Sequence, residues 1–221
     1  MTLPLQILQA IIKQVPQVVP LLAPETLAAI KAGGGGYPGT RSDYWHAVYN
    51  EVEGYLTGNR PTTTFVQRLV TAAASAFISA AEAGYEEGGA TLPIDDETAA
   101  WLRSAIDAEQ GHIDELFYRL SQEWEGLDPA AEATARAEGY ASNLDQIFSE
   151  AKTRGAGNKM LTFTGSDGKE SCKDCQRMQG QRHRASWWIS RNMIPGSSAY
   201  ECGGWNCEHY LVDDEGNEFT L

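Results

Sequence analysis

The chain is short of acid–base chemistry: it has four histidines in 221 residues. His46 and His112 fall in stretches that read as helix, while His183 and His209 lie near the C-terminus, so few groups are left for proton transfer. No Gly-x-Ser-x-Gly elbow occurs. The run Gly33-Gly34-Gly35-Gly36 has neither the following Lys-Ser/Thr nor the preceding strand of a phosphate loop. A His-x-Glu segment ahead of Pro-Cys-x-x-Cys, which zinc deaminases need, is also missing. No run approaches the ~18 apolar residues of a membrane span. The most apolar one, 72–81, is interrupted by Ser75 and Ser79. The first residues carry no basic segment and no small-residue cleavage site, so a reducing cytoplasm is expected and disulfides are not.

Cysteine is scarce too, and its placement is the main signal. All four cysteines lie in Cys172-x-x-Cys175, an interval of 26 residues, and Cys202-Gly-Gly-Trp-Asn-Cys207, with His209 two residues further on. A Cys-x-x-Cys turn brings two thiolates together, and a second pair closes a tetrahedral zinc site. Two disulfides or four unrelated thiols are the competing readings. Cys172, Cys175 and Cys207 are the expected ligands, with Cys202 ahead of His209 for the fourth position. Cys207 and His209, two apart on a strand, point to the same face. Four protein ligands leave no open position, so the Zn2+ is expected to be structural. His183 reads as an exposed or hydrogen-bonded loop residue.

Charge is unevenly spread. The formal net charge of -13 disfavours nucleic acid as the main partner. Residues 1–149 hold 8 basic against 20 acidic side chains, 150–195 hold 9 against 4, and 196–221 hold 0 against 6. The basic island, with Lys152, Arg154, Lys159, Lys169, Lys173, Arg177, Arg182, Arg184 and Arg191, can meet phosphates, an acidic protein surface or only solvent.

Periodicity predicts a mainly α chain: a multi-helix N-terminal region followed by a small α+β zinc-binding module with short strands and a C-terminal hairpin. The expected divisions are an apolar N-terminal helical segment and glycine hinge over 1–36, a helical domain over 37–155 and a cysteine-rich zinc module over 156–221. Ser42 is the expected N-cap of a helix to Tyr55. Helices follow over about 64–86, from Asp95 or Asp96 to about Trp124, and from Pro129 to Arg154. Glu109-x-x-His112, with Asp43-x-x-His46, has the spacing of a carboxylate-bridged di-iron bundle, but it reads better as solvent-facing polar residues. Residues 160–164 alternate as a strand, and 209–212 with 218–221 read as the hairpin.

Three segments, Ser171-Cys172-Lys173-Asp174-Cys175-Gln176-Arg177-Met178-Gln179-Gly180, then 187–195, then Cys-Gly-Gly-Trp-Asn-Cys-x-His-x-Leu, resemble the C-terminal region of phage Mu F-like minor head (head morphogenesis) proteins. The likeness covers about residues 130–212. Cys202 stands where the family more often has histidine, and His209 where its last cysteine would be. The resemblance implies a non-enzymatic, low-copy protein of a tailed-bacteriophage or prophage virion, assembled in the bacterial cytoplasm. Implied partners are portal or major capsid protein, with a weak contact between packaged DNA and the basic segment 152–191. No membrane is expected, and self-association as a homo-oligomer is allowed for. The alternative is a zinc-supported nuclease using His183 as base near Asn192.

Overall fold

The computed structural model describes residues 36–59, 62–123, 126–165, 171–197, 199–203 and 207–219. The expected N-terminal helix and most of the glycine hinge lie outside these residues. Six helices and one small sheet are described: α1 (Gly36–Leu56), α2 (Thr62–Glu87), α3 (Asp96–Glu123), α4 (Pro129–Gly155), β1 (Met160–Gly165), α5 (Lys173–Met178), β2 (Arg182–Arg184), α6 (Ala185–Ser190) and β3 (His209–Val212). The chain is mainly helical with a three-stranded sheet near its C-terminus, as the periodicity predicts.

The residues group into two compact units. Among the described residues, one is drawn from 36–80 and Asp95–Leu144, the other from Ala81–Ile94 and 145–219. In the first unit, α1 starts six residues before the predicted cap at Ser42. Pro38 fits because a first-turn residue has no intrahelical partner for the N–H that proline lacks, and Gly36 supplies the positive φ of 63° at the entry. Asp95 caps α3 by accepting a hydrogen bond from the Thr98 N–H at 2.7 Å, and Asp128 does the same for α4 from the N–H of Ala130 at 3.0 Å. Each helix buries an apolar stripe: Val48 and Val52 on α1, Leu69, Val70 and Phe77 on α2, Leu102, Ile106 and Ile113 on α3, Ala133, Ala137 and Leu144 on α4; on α2 Val66, expected in the stripe, is only half-buried, and its neighbour Phe65 is buried instead. Rings of Tyr55, Phe65 and Phe117 meet at centroid distances of 5.0 to 5.9 Å.

Glu109 departs from expectation. It is not solvent-facing but 3% exposed, because its position falls on the same α3 face as Ile106 and Ile113. Its carboxylate accepts from Tyr44 Oη at 3.2 Å, from Asn143 Nδ2 at 3.2 Å and lies 3.1 Å from His112 Nδ1. Burial pushes the carboxyl up, partly offset by those hydrogen bonds and the His112 charge. His46 is exposed and bonded to the Ser42 carbonyl. Glu109 belongs to no group of metal-spaced donors among the described residues.

The apolar stretch of α2 runs further than the 72–81 segment. Thr64–Glu87 is long and apolar enough to cross a membrane by length and composition, but 67% of its most apolar window is buried inside the protein, as a core helix would be.

The second unit is built on two close approaches. Where the 81–88 part of α2 meets the end of α4, glycines stand at the contact. A Cβ on Gly84 would lie 2.4 Å from the Phe148 carbonyl oxygen, and one on Gly88 would lie 2.2 Å from that of Lys152. The sheet has the order β2-β1-β3 and is antiparallel throughout. Leu161 and Phe163 alternate inward from β1 and pack with Met178, Trp188, Tyr200, Leu211 and Phe219. The Trp188 indole donates to the Leu161 carbonyl at 3.2 Å, which satisfies its one polar atom in the core. The predicted hairpin is reduced to β3 and a single bridge, Val212 to Glu218. The Asp213 carboxylate turns the chain between them by accepting from the N–H groups of Glu215 and Asn217. Helices α5 and α6 and strand β2 are not legible in the sequence.

Candidate metal centre

Each cysteine pair is set by local backbone chemistry. Cys172 is the N-cap of α5, in extended conformation, and its sulfur accepts the Cys175 N–H at 3.4 Å. The cap bond and the first helical turn fold the two thiols onto one side. The second segment is brought to the first by a reciprocal clasp. Asp174, between the two cysteines, accepts the Glu201 N–H at 2.9 Å, and the Glu201 carboxylate accepts the Lys173 N–H at 3.2 Å. Cys202 follows directly. Asp174 is itself held by Arg177 at 2.9 Å. Nothing in the spacing of Asp174 and Glu201 announces this pairing; only acidic residues flanking each cysteine segment hint at it.

His209 arrives from the sheet. Its position at the start of β3 opposite Gly165 is fixed by the β1–β3 register. The ring is 5% exposed and lies 5.2 Å from the Phe163 ring. Gly165 is required there: a Cβ would stand 2.6 Å from both the Glu208 carbonyl oxygen and the His209 Cα.

The donor atoms gather into two triads. Those of Cys172, Cys175 and Cys202 lie within 4.8 Å of one another, as do those of Cys175, Cys207 and His209. Cys175, 2% exposed, belongs to both. The Cys207 sulfur is 3.9 Å from His209 Nδ1. All five residues singled out in the sequence therefore meet at one place, and Cys202 and His209 do not exclude each other: each completes a different triad around Cys175. All four cysteines are free thiols, which leaves no disulfide pairing.

The thiols are electrostatically unequal. Burial pushes the Cys175 thiol far above its ordinary range, helped by its hydrogen bond with Cys172 and by the neighbouring Cys207. Burial also acts upward on Cys172, but hydrogen bonds from the backbone and thiol of Cys175 and from Cys202 together outweigh it and hold that thiol below its usual range. A thiol cluster whose buried member, Cys175, resists ionisation is an environment in which a cation is effective, because ligation requires the deprotonated form. The cluster can hold a metal ion.

No family profile, curated protein or solved structure matches this chain. The chemistry of the centre is therefore argued from its donors. Tetrahedral metal–thiolate bonds of about 2.3 Å set sulfurs roughly 3.8 Å apart. Within each triad the donors lie within 4.8 Å of one another, near that spacing. The residues fit a thiolate-rich centre closed by protein, since the five donors exceed the four that a tetrahedral ion takes.

His183 sits elsewhere. It is on β2 and not in a loop, its ring is stacked on Trp187 at 3.6 Å and 14°, and Nε2 lies 3.1 Å from the Gln181 side-chain oxygen.

Proposed function

We propose that the chain is a non-enzymatic structural protein of a tailed-phage or prophage head, assembled in the host cytoplasm, in which one structural Zn2+ closes the cysteine-rich tail into a rigid docking surface for portal or capsid protein. The observation that carries this reading is the convergence of Cys172, Cys175, Cys202, Cys207 and His209, in the same segments that resemble the Mu F-like minor head proteins.

Zinc is favoured over other ions by the donor set, soft thiolates with an imidazole and no carboxylate in either triad. With every position filled by protein, the ion stabilises the fold and leaves no site for activated water. The second unit buries a small apolar cluster, and small cores gain most from a metal staple. The acidic helices, with the excess of carboxylates over residues 1–149, give the remaining surface a charge suited to basic partner surfaces.

Two measurements test the reading separately. Elemental analysis of protein purified without added metal should return about one zinc per chain, retained by wild type and lost from Cys172→Ser/Cys175→Ser. Tagged protein expressed with its neighbouring genes should travel with head particles in a density gradient. Metal-free native protein would sink the zinc centre, and protein confined to the soluble fraction would sink the head role.

A further inference from the structure

The cysteine cluster holds one donor more than a single tetrahedral ion can use, and the grouping of the donors shows where the surplus lies. Cys172, Cys175 and Cys202 form one triad, Cys175, Cys207 and His209 the other, and of the described donors only Cys175 belongs to both. Among the described residues no four donors gather within the 4.8 Å that spans each triad.

Each triad has its own scaffold. The first is set by the N-cap geometry of Cys172, whose sulfur accepts the Cys175 N–H, and by the Asp174–Glu201 clasp that delivers Cys202. The second is set by the sheet: the β1–β3 register places His209 opposite Gly165, and its Nδ1 stands 3.9 Å from the Cys207 sulfur. Cys175, 2% exposed, sits at the junction, while the other three thiols are partly exposed.

A single ion leaves this arrangement unbalanced in ligands and in charge. If it takes the four cysteines, His209 is left as a buried ring beside a bound sulfur; if it takes His209, one thiol is left out. One divalent ion among four thiolates carries two uncompensated negative charges, with Glu201 and Glu208 next in sequence to Cys202 and Cys207, and such charge is costly around a buried sulfur. Two divalent ions and four thiolates sum to zero. A thiolate has lone pairs enough to bind two ions at once, and Cys175 is the sulfur placed to do so.

We propose that the centre accepts two soft divalent ions of the zinc and cadmium class, one in each triad, with the Cys175 thiolate bridging them. The first ion draws four protein donors, as in the one-zinc reading, and the second redistributes the five donors into the two triads. Water or an added ligand then fills the fourth position of each ion. The second ion gains fewer donors than the first and is bound only when the metal is abundant. This inference rests on the cluster being a metal centre and is independent of the head role.

The test dialyses the full chain, as purified and under a thiol-free reductant, against increasing Cd2+, a soft ion of the same preference. Bound cadmium, sulfur-to-cadmium charge-transfer absorbance and cadmium NMR are read at each step. Binding should saturate at two ions per chain, with the absorbance rising through both equivalents and with two cadmium resonances split by each other through the shared sulfur. Cys202→Ser and His209→Ala, which each break one triad, should lower the endpoint from two ions to one, and His46→Ala, at an exposed histidine, should leave it at two. Melting temperatures are recorded alongside, and the mutual splitting in wild type decides the matter if a variant folds poorly. Saturation at one ion overturns the two-ion proposal and leaves the zinc centre standing, whereas absence of binding overturns both. A second ion that adds no sulfur absorbance and no splitting is adventitious and overturns the proposal as well, as does an endpoint of two that both triad variants retain.

Discussion

Glu82, on α2, offers a direct test of the electrostatics. It is half-buried, its Oε1 has no hydrogen-bond partner among the described residues, and burial, followed by the nearby Glu86 charge, raises its pKa from 4.5 to about 7. The folded state therefore prefers the protonated acid, while the unfolded chain ionises normally. Below pH 4.5 both states are protonated and the residue costs nothing. As pH rises through the interval, the unfolded state loses its proton first and stability falls, the full penalty being reached above pH 7. The displacement corresponds to about 3.4 kcal/mol at ~1.36 kcal/mol per tenfold change in acidity. Solvent reaches part of the side chain, so a contribution of about 1–2 kcal/mol is expected. Glu82→Gln removes the charge and keeps the shape. Urea unfolding followed by circular dichroism at pH 5, 6, 7 and 8 should give a variant within about 0.5 kcal/mol of wild type at pH 5 and about 1–2 kcal/mol more stable at pH 8. Curves that stay parallel across the series, or a variant less stable at pH 8, would refute the assignment.

Three further outcomes follow from the packing. Cys175→Ser should abolish metal retention, since it belongs to both triads. Cys202→Ser and His209→Ala should each weaken retention without abolishing it, as competition with a chromophoric chelator would measure. Glu109→Ala should destabilise the protein by about 2–4 kcal/mol, because the buried donors of Tyr44 and Asn143 lose their acceptor; Glu109→Gln, which keeps an acceptor, should cost less than about 1.5 kcal/mol by chemical unfolding. Gly88→Ala should cost on the order of 2–3 kcal/mol in thermal melts, since its Cβ meets backbone at 2.2 Å and backbone cannot rotate aside.

The long helices are legible in the sequence because each carries a continuous apolar stripe, a capping Asp, or both. The five donors are legible because thiol pairs and a histidine two residues from a cysteine have few other uses. The short elements are not. α5 and α6 span six residues each, too few for a period to register, and β2 is an Arg-His-Arg triplet that no propensity favours. Their conformations come from contacts made elsewhere: the Cys172 cap, the ring stack of His183 on Trp187, and the β1 backbone. Glu109 was misread for a related reason. A carboxylate on an apolar face looks like a surface residue until the three partners that satisfy it, from other helices and its own, are in view.

The second unit draws on two stretches of chain that lie far apart in sequence, Ala81–Ile94 and Asp145–Leu221. A gene fragment begun at residue 156 would keep every cysteine and the whole sheet, yet leave behind the partner of its first buried residue. Ala156 bonds through its N–H to Lys152, and Lys152 in turn lies against Phe219. Anyone swapping this tail between proteins should therefore transplant the end of α4 with it and supply a companion helix bearing glycines at the spacing of Gly84 and Gly88. Without them the graft would carry its thiols on an exposed and incomplete scaffold.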